Sequence, residues 1–188
     1  EVTNDWKKID HSIQKNVSDD IDKLKSLYDR ERLIALVVDD NFEVRQFLRD
    51  LLDSNFQVIE ASNGKQALET AFETIPDIII SDIMMPEMDG LELCSILKND
   101  ERTDHIPVVL TTVLSSQTDR IEGINKGADS YIPKPIDPEH LLVRVNKLIE
   151  KELKLKEKFN LDNYSPGKDT ANKANKEEVH PLIEKARN

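Results

Sequence analysis

The chain has a single cysteine, Cys94, no apolar stretch as long as eighteen residues, and fewer basic side chains than acidic ones. One cysteine excludes an internal disulfide and fits a reducing compartment. The lack of a long apolar run excludes a hydrophobic spanning helix, and no secretory leader pattern is present. Lys and Arg number 26 against 37 Asp and Glu, a net charge of −11. Phosphate contacts need clustered cations, so these residues by themselves are not expected to bind nucleic acid. Histidine is also sparse. His11, His105, His140 and His180 are scattered over element ends and tails, which leaves no histidine metal cluster and no convincing histidine phosphodonor.

What is present points to one core with polar extensions. A length of 188 residues with 38% apolar content fits one domain of about 120–130 residues plus flanking segments. Residues 1–32 are polar, with Ile21, Leu24, Leu27 and Tyr28 at helical spacing, and read as a linker helix. Residues 33–150 alternate apolar runs with amphipathic stretches. Residues 151–176 read as an extension of the last helix, through Phe159, followed by a linker with Pro166-Gly167. Residues 177–188 read as the truncated start of a further helical element. The opening at Glu1 and the helical pattern at Pro181–Arg187 lead to the expectation of a piece cut from a longer chain.

Within 33–150 the elements follow one another regularly. Leu33–Val38 is unbroken apolar sequence, as in a strand buried on both faces. Val44, Phe47, Leu48, Leu51 and Leu52 then recur at helical spacing. A short strand at Phe56–Glu60 leads to a second helix from Asn63-Gly64 to about Thr74, stopped by Pro76. Asp77–Ser81 is a third strand, Met88–Asn99 is a third helix with Cys94 inward, and Ile106–Thr111 is strand four. A fourth helix is expected from an N-cap at Ser116 to a glycine stop at Gly127. Ser130–Ile132 is strand five, and Asp137-Pro138 caps and opens a fifth helix. Apolar strands alternating with amphipathic helices imply an α/β fold, a doubly wound five-stranded parallel sheet with five helices. Ligands of such sheets bind beyond the carboxyl ends of the strands, where the strand order reverses.

Polar groups gather at those ends. Strand one runs into Asp39-Asp40, strand three into Ser81-Asp82, strand four into Thr111-Thr112, and strand five is followed by Lys134-Pro135. Only strand two is read as ending without such a group. Three carboxylates at one rim repel, and at least one would take up a proton unless a cation intervened. Mg²⁺ suits the site, because it takes one or two carboxylates, keeps several waters and bridges to phosphate. Met84, Met85 and Met88 read as packing or loop residues rather than thioether ligands.

In these motifs the chain resembles the receiver domain of two-component response regulators, a resemblance that implies a flavodoxin-like sheet of strand order 2-1-3-4-5. The residues that carry the resemblance are Val37-Val38-Asp39-Asp40, the run Ser81–Gly90, Thr112 and the run Gly127–Pro135, in order, with steps of 112 − 82 = 30 and 134 − 112 = 22 residues. The resemblance implies that Asp82 is the phosphoacceptor, forming an acyl phosphate. It implies that Asp40 binds Mg²⁺ directly, Asp39 chiefly through water, and Met84 through its backbone carbonyl. Thr112 would bond a phosphoryl oxygen, Lys134 would pair with Asp82 at rest and with the phosphoryl group afterwards, and Tyr131 would be the switch aromatic. The Lys134-Pro135 bond would be cis. Implied partners are a histidine-kinase phosphodonor domain, in cis or trans, and a second copy through the face of strand four, its following helix and strand five. At most slow autophosphatase activity is implied.

Val113 departs from the family pattern, which has a small residue after the threonine. This motivates an alternative, a pseudo-receiver that only docks partners. Thr111 beside Thr112 leaves a one-residue ambiguity, in which the spacing to Lys134 favours Thr112. A phosphohydrolase on a similar fold would need a second carboxylate two residues after Asp82, where Met84 stands. Residues 100–107 and 156–159 resemble receivers of hybrid sensor kinases that also carry a helix-turn-helix region. That context implies a cytoplasmic domain with no membrane contact of its own, on a parent chain open to membrane anchoring and to DNA binding.

Overall fold

A computed structural model describes residues 22, 32–113 and 127–159. The expected N-terminal helix, the expected helix at 116–126 and everything after Phe159 lie outside the described residues. Five strands form one parallel sheet: β1 Leu33–Val38, β2 Phe56–Ala61, β3 Ile78–Asp82, β4 Val108–Thr112 and β5 Ser130–Pro133, in the order β2-β1-β3-β4-β5. Among the described residues, the helices are α1 Phe42–Leu52, α2 Gly64–Thr74, α3 Gly90–Lys98 and α4 Pro138–Phe159. The expected doubly wound sheet and its strand order are therefore present. No helix among the described residues is long and apolar enough to cross a membrane.

The sheet has two dry faces because side chains along a strand alternate. Leu33, Ala35 and Val37 of β1 join Ile78, Ile80 and Val109 against Leu48, Leu52 of α1 and Leu141, Val145 of α4. Leu36 and Val38 turn the other way and join Ile79, Val108 and Leu110 against Ala67, Ala71 of α2 and Leu93, Leu97 of α3. An unbroken apolar strand is thus what a sheet covered on both sides requires. Cys94 belongs to the second cluster, where burial pushes its thiol up to about 11.

Helix starts follow their caps. Asn41, Asn63 and Asp89 each accept a bond from a first-turn N–H of α1, α2 and α3, as short polar side chains do at that position. Several boundaries differ from expectation: β2 and β5 each run one residue further, to Ala61 and Pro133, and β3 covers Ile78–Asp82 rather than 77–81. Helix α3 begins at Gly90 rather than Met88, because Glu87 adopts φ 67 and turns the chain before Asp89 caps the helix. Strand β4 begins at Val108 rather than Ile106 and runs on to Thr112. Pro107 has no N–H for the ladder, though its carbonyl accepts from Ile79 N at 2.9 Å. Helix α2 ends on Ile75 at φ 44, an uncommon conformation for a β-branched residue, set just before the expected stop at Pro76.

Gly90 fixes how closely α3 approaches the end of β3. Its N–H bonds Ile83 O at 2.9 Å, and a Cβ there would lie 2.1 Å from the carbonyl oxygen of Asp82. Gly90→Ala must push the helix away from the strand. It is expected to lower stability by roughly 1–3 kcal/mol, as overpacking does, read as a lower urea midpoint with an unchanged slope.

Candidate functional site

The strand order places the reversal between β1 and β3, which pair directly, Val38 opposite Ser81. Their ends deliver Asp39-Asp40 and Asp82 to one rim. Asp39, Asp40 and Asp82 each offer a carboxylate oxygen within 4.8 Å of the others. Asp39 is only 1% exposed and Asp82 7%, whereas Asp40 is open to solvent.

Lys134 closes this cluster from β5. The Lys134-Pro135 peptide is cis, and Lys134 N donates to Thr112 O at 2.7 Å. The ammonium Nζ lies 2.8 Å from Asp39 Oδ2 and 3.0 Å from Asp82 Oδ2. The expected partner was Asp82; the ammonium serves both buried acids. The remaining oxygens also have donors: Asp39 Oδ1 accepts from Asn41 N at 2.9 Å, and Asp82 Oδ1 from Ile83 N at 2.9 Å.

Burial is the largest influence on Asp82 and raises its pKa. Lys134 opposes that shift and Asp39 adds to it, and the net direction is upward. For Lys134, burial pulls downward, but hydrogen bonds and charge from Asp39 and Asp82 outweigh it and the pKa rises. Repulsion from Asp39 is thus felt at Asp82, but less than burial and less than the attraction of the shared cation.

The other predicted residues fall as follows. Thr111 pairs with Asp82 across the ladder, and its hydroxyl reaches back to Ser81 O at 3.5 Å. Thr112 is the last residue of β4, buried, and opposite Pro133. Tyr131 pairs with Leu110 and packs against the α2–α3 face of the core. Met84 follows Asp82 by two residues with an exposed side chain. Three oxygen donors of hard character, one of them open to solvent, fit a divalent cation such as Mg²⁺.

Sequence reasoning missed Arg45 of α1, which touches this rim, and Glu60 of β2, which holds Arg45. One signal was available: Arg45 is a cation in the first turn of a helix, where the helix dipole disfavours it.

Ionised Asp82 has a definite cost. A carboxyl with a raised folded-state pKa contributes its stability below its unfolded value, 3.8, and loses it as pH rises through the folded value. Without divalent cations, Asp82→Asn is therefore expected to melt above the wild type at pH 7. The difference should shrink as pH falls toward the unfolded value, as followed by circular dichroism in EDTA.

A model of the response regulator receiver domain family matches residues 35–146. Histidine kinase P4 of Formosa agariphila is 43% identical over 141 residues, covering 74% of this chain and 10% of that protein. Response regulator PleD of Caulobacter vibrioides is 44% identical over 123 residues, covering 65% of this chain and 27% of PleD. The chain thus spans well under half the length of these curated relatives. The signal receiver domain of a signal transduction histidine kinase from Syntrophus aciditrophicus superposes with a TM-score of 0.59 at 36% identity, covering 63% of this chain and 90% of that one.

Proposed function

The chain belongs to the response regulator receiver domain family of two-component signalling, and from that membership we propose that it is a Mg²⁺-dependent phosphoacceptor switch centred on Asp82. The observation that carries the proposal is the shared contact of Lys134 with Asp39 and Asp82 inside a cluster of three carboxylates. A carboxylate attacks an anionic phosphoryl group only where positive charge is held ready.

Asp40, Asp39, Asp82 and the carbonyl of Met84 would hold the ion. Mg²⁺ bound there supplies charge neutralisation at the phosphoryl oxygens. The protein's own groups do the rest. Asp82 attacks phosphorus as the bond from phosphorus to the donor breaks, the electron pair departing with the donor, and an acyl phosphate is left on Asp82. Lys134 transfers its contact from the Asp82 carboxylate to the phosphoryl group. The Thr112 hydroxyl donates to a phosphoryl oxygen. The Thr111 hydroxyl, bonded back to Ser81 O, is already committed to the sheet. Tyr131 turns with Thr112 and changes the β4–β5 face, where an output segment or a second copy would respond.

Receiver domains take phosphate from histidine kinases. We assign the phosphodonor domain to a groove of about 260 Å³ beside the rim, lined by Val44 and Phe47 of α1 and by Lys134, Pro135 and Ile136. It is largely apolar and reaches Lys134, so a docked helix would bring its imidazole to Asp82. The boundaries proposed are a receiver at 33–150 and a helical extension and linker at 151–176, within a longer hybrid-kinase chain. The resemblance to histidine kinase P4 supports that context. The docking-only alternative rested on Val113, whose side chain is 62% exposed and so takes up little of the buried space around Asp82.

Incubation with Mg²⁺ and acetyl phosphate should add one phosphoryl group to the wild type by intact mass and none to Asp82→Asn. Equal modification of the two would end this reading. Mg²⁺ at ten times its dissociation constant should stabilise the fold by roughly 1.4 kcal/mol through mass action. Asp40→Ala should lose that gain in thermal melts.

A further inference from the structure

Arg45 reaches two backbone carbonyls of the acidic turn at once. Its Nη1 donates to Asp39 O at 2.8 Å and to Asp40 O at 3.2 Å. Its Nε donates to Glu60 Oε2 at 3.2 Å. The Phe42 ring lies 5.6 Å from the guanidinium carbon. Both Arg45 and Glu60 are mostly buried, at 14% and 16% side-chain exposure. Glu60 is held in turn by Arg49, and it stands on β2 opposite Val37, two residues before Asp39. The strand end that sequence reading left without a role therefore anchors the residue that grips the turn.

From this arrangement we infer that Arg45, braced by Glu60, is a positioning residue for the metal-binding acids. This inference rests on the Mg²⁺ reading of the rim. The guanidinium draws the carbonyls of Asp39 and Asp40 to one side of the chain, while their carboxylates join Asp82 and Lys134 on the other. A planar fork suits that task, since one group bridges two carbonyls and a carboxylate in fixed directions. A lysine supplies charge without the fork. The charge of Arg45 is matched by Glu60 and by the two carbonyls, and it occupies none of the carboxylate oxygens of the rim. This offsets the unfavourable place of a cation in the first turn of α1.

Two readouts test the clamp on the full chain. In EDTA, amide hydrogen exchange reports the turn directly. Asn41 N–H, which is held by Asp39 Oδ1, should exchange several-fold faster in Arg45→Met than in wild type, while β3 and β4 amides keep their rates. Mg²⁺ titration by calorimetry reports the consequence: Arg45→Met should raise the dissociation constant about tenfold, in the range seen for residues that orient metal ligands. Arg45→Lys should recover little of that loss, and Glu60→Gln should lose part of it. Unchanged exchange at Asn41 in Arg45→Met, or full rescue of Mg²⁺ affinity by lysine, overturns the clamp. A wild type that takes up no Mg²⁺ defeats the metal reading of the rim instead, and the exchange rates then still decide whether Arg45 orders the turn.

Discussion

One ammonium group held between two buried carboxylates is the constraint on which this molecule is organised. Lys134 arrives from β5, Asp39 from β1 and Asp82 from β3. β4 lies between β3 and β5. The contact therefore spans the sheet at its carboxyl rim and can form only if the strands are parallel, correctly ordered and in register. Net attraction there comes with a residual penalty. Two acids share one cation, and burial still leaves Asp82 with a raised pKa. A fold relaxed to its stability optimum would not keep such a cluster; functional sites commonly do.

The same rim joins two separate halves of the core. Helices α1 and α4 pack on one face and α2 and α3 on the other. The loops at this rim lead to both layers: Asp39-Asp40 and Lys134 precede α1 and α4 on one face, and Asp82 precedes α3 on the other. A change in the contacts of Lys134 or Thr112 therefore bears on both sides of the sheet. Gly90 adds to this, because α3 starts in contact with the backbone of Asp82 itself.

Much of this was legible in the sequence because the physics is local. Apolar runs without alternation mark strands with no wet face, and Asn63-Gly64 and Asp137-Pro138 mark helix starts. Asp82 and Lys134 meet at the rim, and Thr112 ends the strand that lies between theirs. What escaped depends on distant pairings. Asp39 as a second partner for Lys134 is separated from it by 95 residues, and no pattern of spacing reveals which of two aspartates a lysine will serve. Arg45 and Glu60 look like ordinary surface charges until β2 lies beside β1. The start of β4 was misjudged because Pro107 is apolar and sits in an apolar run, yet cannot donate to a ladder.

Helix α4 holds a consequence of its own. It begins at Pro138, four residues after Lys134, and continues unbroken for 22 residues to Phe159, a length of about 33 Å. Strands of four to six residues span no more than about 20 Å, so the helix outruns the sheet. The far end of the helix is consequently set at a fixed azimuth relative to the acidic rim. Each amino acid inserted into or deleted from the overhang would swing that azimuth by about 100°, so the overhang transmits orientation as well as distance.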